Sequence, residues 1–178
     1  MGLTWALSDG RAGNARQAEA LARALQPAAY QPLHLQTNAP WRWAAPRRLP
    51  GARQAFGAAF ARQLQQPPAL AIGCGRQAAL ATRLLRAHGS RSVQILDPRL
   101  DPRHWDLLVV PEHDALRGSN VLTLLGSLHP VDDAWLAAGR AAFPPWAASR
   151  ARGWRCWSVA PPPRCRGRHR RWRRCARA

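Results

Sequence analysis

PALAIGCGRQAALATRLLRAHG, Pro68 to Gly89, is the stretch that decides the fold. A short apolar run passes into a turn with glycines at Gly73 and Gly75, and then into an amphipathic stretch of helical period. Strand, Gly-rich turn and helix in that order make a βα unit, the building block of a parallel sheet.

The same alternation extends in both directions. Upstream, LTWALS (Leu3 to Ser8) reads as a first strand and DGRAGN as a turn. Ala15 to Gln26 then reads as a helix carrying Ala18, Leu21, Ala22 and Leu25 on one face, with Asn14 as its N-cap. YQPLHL is a second strand, WRWAAPRRLPG an irregular basic-aromatic loop, and residues near Ala52 to Gln65 a further helix. Downstream, SVQILDP, WDLLVVPEHD and NVLTLL supply three more strands. DDAWLAAGRAA (Asp132 to Ala142) supplies a helix with two acids at its start, where the helix dipole favours them. No internal repeat is present, and the alternation stops after Phe143. The expectation is an α/β, Rossmann-like parallel-sheet domain over residues 1–143 and a disordered Arg/Trp/Pro-rich tail over 144–178.

Composition narrows the function classes. The 178 residues carry a net charge of +18, but eleven arginines and no acid fall in Arg150 to Ala178. Before them stand sixteen arginines against nine acids, or +7, so the basicity is mostly local. Every basic residue is Arg and none is Lys, the signature of a very GC-rich gene. Cys156, Cys165 and Cys175 lie in the tail without the paired spacing of a zinc site or the even framework of a secreted disulfide domain, so no metal is expected. The chain reads as reduced and cytoplasmic: no basic-flanked apolar leader opens it, and it nowhere holds 18 successive apolar residues.

The chemistry-bearing turns follow strands. SDGRAGN (Ser8 to Asn14) sets Ser8, Asp9, Gly10, Gly13 and Asn14 where backbone N–H groups converge on an anion or polar ligand, though a tight turn has the same composition. GCGR repeats the arrangement at Gly73, Gly75 and Arg76, with Arg76 able to reach a phosphate or carboxylate. Cys74 between these glycines shows no sign of an activating environment. Asp97 and Arg99 of LDPR, and Glu112, His113 and Asp114 of VPEHD, also fall at carboxyl ends of strands, the edge where open α/β sheets gather ligands. Asp97 and Asp114 serve equally well as turn residues, and Asp9, Glu112 and His113 are the acid/base candidates.

Four motifs occur in order: W-x-L-S-D-G-R-x-G-N-x-x-Q from Trp5 to Gln17, I-G-x-G-R from Ile72 to Arg76, L-D-P-R from Leu96 to Arg99, and D-L-x-V-V-P-E-H-D from Asp106 to Asp114. Together they resemble the bacterial relatives of the plant elongated-mitochondria fission factor, and the likeness continues to about Val131. That resemblance implies a glycosyltransferase-B-like architecture of two Rossmann-like halves, of which this chain spans one, with Gln17 joining the ligand set. It implies a phosphorylated or sugar-nucleotide ligand, no cofactor and, for a half alone, no expected activity. Plant members promote mitochondrial division at the outer membrane, so peripheral membrane contact and a non-enzymatic recruitment role stand beside the enzyme reading.

The tail has two readings. Regrouping the codons of Arg152 to Val159 by one nucleotide permits Arg-Val-Ala-Val-Leu-Val-Gly-Gly, an apolar strand running into a glycine turn. A frameshift between Ala142 and Trp146 is therefore expected, and the nucleotide sequence across codons 140 to 180 decides it. Read in frame, the arginines with Trp154, Trp157 and Trp172 would suit phosphate contacts and base stacking, without specific nucleic-acid recognition.

Overall fold

Six strands form one parallel sheet: β1 (Thr4–Ser8), β2 (Tyr30–His34), β3 (Leu70–Cys74), β4 (Arg91–Ile95), β5 (Leu107–Pro111) and β6 (Val121–Leu124). Their spatial order is β2-β1-β3-β4-β5-β6, and every neighbouring pair is parallel. The computed structural model describes residues 2–142, so the expectations placed on the tail lie outside the described residues. The sheet belongs to a unit ending at Asp132.

Side-chain alternation sends successive residues of each strand to opposite faces, and both faces are covered. On one, Trp5, Leu7 and Ala71 pack against α4 (Arg76–Arg86), through Leu80 and Leu84, and α3 (Gly57–Gln63), through Phe60. On the other, Ala6, Ile72, Cys74, Val93, Ile95 and Val109 form a cluster with α1 (Ala12–Leu25), whose Ala18 and Ala22 are fully buried. Burial on two sides explains why β3 and β5 read as continuous apolar runs rather than alternating ones. The α/β, Rossmann-like class is thus the observed one.

Pro32 stands inside β2, yet β2 pairs only with β1. An edge strand tolerates a proline because one side of it needs no ladder donor. At the amino ends of β4 and β5, Asp106 Oδ2 accepts from the Ser92 N–H at 2.8 Å and its hydroxyl at 3.0 Å, while Arg86 Nε donates to Oδ1 at 3.0 Å. This carboxylate ties α4 to two strands.

Three local expectations need correction. The first helix begins at Ala12 with Arg11 as its N-cap, not at Ala15 with Asn14 as cap. Asn14 instead spends its side chain on tertiary partners, which leaves capping to the main chain. The helix expected over Ala52 to Gln65 divides into a 3-10 turn at Ala52–Gln54 and α3, because Gly57 adopts φ +84°, which a continuous helix excludes. The basic-aromatic loop contains one short helix, α2 (Trp41–Ala44). A separate unit begins at Asp133 with α5 (Asp133–Ala142), which carries Asp133 in its first turn and Arg140 in its last, the charge order that suits a helix dipole. Among the described residues no helix is long and apolar enough to cross a membrane.

Candidate functional site

The chain leaves β1 toward β2 on one side and returns to place β3 on the other, so the loops after β1 and β3 diverge. In open α/β sheets such a reversal of strand order leaves a crevice at the carboxyl edge. Here a cleft of about 410 Å³ occupies that position. It is lined by the β1–α1 turn (Asp9, Arg11, Asn14), the β3–α4 turn (Gly75, Arg76, Gln77) and the end of β4 (Gln94 to Arg99).

The two turns are locked together. Asp9 Oδ1 accepts from Asn14 Nδ2 at 2.9 Å and from the Arg11 N–H at 3.3 Å, while the Cys74 thiol donates to Asn14 Oδ1 at 3.6 Å. Gly75 lies against Asn14: a Cβ there would stand 2.5 Å from Asn14 Nδ2, and the residue adopts φ +91°, ψ 169°. Only glycine is at ease in that backbone region. It lets the β3–α4 turn approach the start of α1 and caps α4 in the same step. Burial, aided by the charge of Asp9, pushes the Cys74 thiol up to about 12, which holds it neutral and unreactive.

Both α1 and α4 begin at this cleft, so each aims first-turn N–H groups and the positive end of its dipole toward it. Arg11, Arg76 and Arg99 add guanidinium groups. Arg11 is 83% exposed and lies 3.6 Å from Asp9, a weak pairing that leaves it free to engage a ligand. Arg76 donates to the Arg42 carbonyl of α2 at a long 3.4 Å. At the far wall Asp97 accepts from the Arg99 N–H at 2.7 Å, closing a turn in which Leu96 and Arg99 hold φ of 71° and 55°. Leucine in the left-handed region is uncommon, and such strain concentrates at sites where a loop must hold one shape.

Of the residues expected from the sequence, the cleft gathers Asp9, Asn14, Gly75, Arg76, Asp97 and Arg99. Ser8 stands directly behind it, buried, with its hydroxyl 3.0 Å from His34 Nδ1 and accepting the Gly10 N–H at 3.4 Å. Gly10 and Gly13 shape the start of α1, and Gln17 lies one turn further along it. Gly73 lies inside β3, where a Cβ would meet Thr82 Cγ2 at 2.7 Å and Gln94 Oε1 at 2.8 Å, so its role is to admit those side chains. Glu112, His113 and Asp114 follow β5 outside the cleft lining. There Arg117 donates to the main-chain carbonyls of Glu112 and Asp114, and His113 is exposed, 3.8 Å from Asp114. Among the described residues no three His, Cys, Asp or Glu side chains cluster as a metal site.

Sequence reasoning passed over Arg11, Gln77, Gln94 and Leu96. Arg11 sits within the quoted SDGRAGN turn, and Gln94 is a long polar side chain in the middle of the buried run SVQIL, a signal that was there to use. Nothing marks Leu96, because its importance lies in a backbone angle.

No curated protein and no solved structure matches the chain. The family model described as mitochondrial fission ELM1 does match, over residues 12–156, a span that runs past the Ala142 to Trp146 interval. It takes in the turns that carry Arg76 and Arg99 and begins just after Arg11, and since it covers most of the chain, the protein belongs to the mitochondrial fission ELM1 family.

Proposed function

We propose that the crevice between β1 and β3 binds a phosphorylated ligand of the sugar-nucleotide type, in a domain shaped like the N-terminal half of a glycosyltransferase-B architecture. The observation that carries this reading is the convergence of two helix N-termini and three arginines on one cleft whose acids, Asp9 and Asp97, are each already accepting main-chain N–H bonds. Such a lining favours a negatively charged group, and Asp9 and Asp97 supply acceptors for ligand hydroxyls beside it.

The experiment is titration of the protein with UDP and UDP-glucose, followed by ³¹P NMR and calorimetry. Binding is expected to weaken about tenfold or more in Arg76→Ala, the scale of one charge-assisted hydrogen bond. Asp9→Ala is expected to weaken UDP-glucose more than UDP, because the lost carboxylate reads hydroxyls rather than phosphate. Absence of binding at millimolar ligand sinks the proposal. Binding without turnover sinks the enzymatic form of it and leaves ligand-dependent recruitment, which the neutral Cys74 and the position of Glu112 and His113 outside the cleft favour.

A further inference from the structure

We propose that Gln94 is the positioning residue that holds this cleft in its anion-accepting shape, because its buried carboxamide joins the β3–α4 turn to the end of β4. The inference rests on the anion-binding reading of the cleft. Gln94 is 1% exposed, yet it contributes to the cleft floor together with Gly75 and Ile95. Its Nε2 donates to the Gly75 carbonyl at 3.3 Å and to the Ile95 carbonyl at 3.0 Å.

The Gly75 carbonyl also accepts from the Ala79 N–H at 3.0 Å in the first turn of α4, so the amide of Gln94 ties the helix that opens at the cleft to the strand beside it. A single –NH₂ group with two protons answers both carbonyls. The orientation of the amide follows from its surroundings. Thr82 Oγ1 lies 3.3 Å from Gln94 Oε1 and itself accepts from Trp105 Nε1 at 2.8 Å. A flipped amide would set Oε1 against two carbonyl oxygens. The absent side chain of Gly73 makes room for the whole arrangement. A chain of polar groups therefore runs from buried Trp105 through Thr82 and Gln94 to the Gly75 turn, fixing the cradle from behind.

Gln94→Glu preserves shape and replaces the donor with an acceptor, and Gln94→Met preserves length and removes the donor without adding charge. UDP affinity is measured by calorimetry from pH 5 to 8, with circular dichroism confirming the fold. Gln94→Glu is expected to bind UDP at least about tenfold more weakly at pH 8 and to recover as pH falls, because a protonated carboxyl regains one donor. Gln94→Met is expected to lose affinity about threefold to tenfold at every pH, with no recovery. A general packing role would not produce that divergence in pH profile. Wild-type binding with both variants within twofold of it overturns the role of Gln94 and leaves the cleft reading standing. Wild-type failure to bind UDP removes both. If neither variant folds, Gln94 is a core residue and the assignment falls.

Discussion

Gly75→Ala tests the lock between the two turns that line the cleft, and its magnitude follows from the structure. Gly75 holds φ +91°, ψ 169°, a region that costs a non-glycine residue about 2–3 kcal/mol. The new Cβ would stand 2.5 Å from Asn14 Nδ2. That atom ends a side chain that can swing away, but moving it forfeits the 2.9 Å bond to Asp9 and the contact with the Cys74 thiol, together about 1–2 kcal/mol. Alanine's lower unfolded-state entropy returns up to about 1 kcal/mol, so the net loss is about 3 kcal/mol. With an m-value of about 2 kcal/mol/M, the urea midpoint should fall by about 1.5 M. Asn14→Ala alone should cost about 1–1.5 kcal/mol, and the double variant should be little worse than Gly75→Ala, because the clash and the lost bonds are then counted once. A coupling of about 1 kcal/mol or more is the expected result of the cycle. Strict additivity, or a Gly75→Ala midpoint within about 0.3 M of wild type, would refute the lock.

Two further outcomes follow from titrating groups. Cys74, raised to about 12 by burial and by Asp9, should be about one ten-thousandth thiolate at pH 8, so iodoacetamide mapped by mass spectrometry should spare it until denaturant is added; rapid native labelling would contradict its environment. Burial works to raise the Asp106 carboxyl, but the Ser92 N–H, the Ser92 hydroxyl and Arg86 hold it below the usual carboxylate range overall. Its stabilisation is then fully present above the unfolded value of about 3.9 and is lost as pH falls through the lower folded value. Asp106→Asn should be less stable than wild type at pH 7, with the gap in urea midpoint narrowing toward pH 3; a gap constant with pH would show that the carboxylate charge contributes nothing.

The sheet was legible because burial on two faces writes itself into composition. Runs such as LAIGC and LLVVP need no alternation to be recognised once glycine turns and helical stretches separate them. Boundaries were less legible where a side chain had two uses. Asn14 has the composition of an N-cap, but its amide bonds Asp9 and Cys74 from inside the first turn, and α1 therefore starts at Ala12. The helix expected through Ala52 to Gln65 overlooked that Gly57 at φ +84° starts a new segment, with Phe56 and Phe60 packing 4.8 Å apart across the join. At the cleft, the motifs marked the two turns contributed by β1 and β3. The wall from β4 was marked only in part: Asp97 and Arg99 announced themselves by charge, whereas Leu96 matters through φ and Gln94 through what it faces in the interior.

The residues of this site divide by what a substitution there can reveal. Gly73 makes room for Thr82 and Gln94, and Gly75 both packs against Asn14 and lines the cleft, so replacing either disturbs the fold along with the cleft and cannot separate the two. Asp9 is intermediate, since its carboxylate holds Asn14 and the Arg11 N–H as well as facing the cleft. Arg11 is different. At 83% exposure, with only a 3.6 Å pairing to Asp9, it contributes little to the fold. Arg11→Ala should therefore leave the urea midpoint within about 0.5 kcal/mol of wild type in free-energy terms while weakening UDP, the pattern of a surface cation that acts through the ligand alone. Because all basic residues of this chain are arginines, charge by itself marks no site in it. What distinguishes Arg11, Arg76 and Arg99 is that two helix N-termini open beside them, and that is a property of strand order, which places the β1 and β3 turns on either side of one crevice.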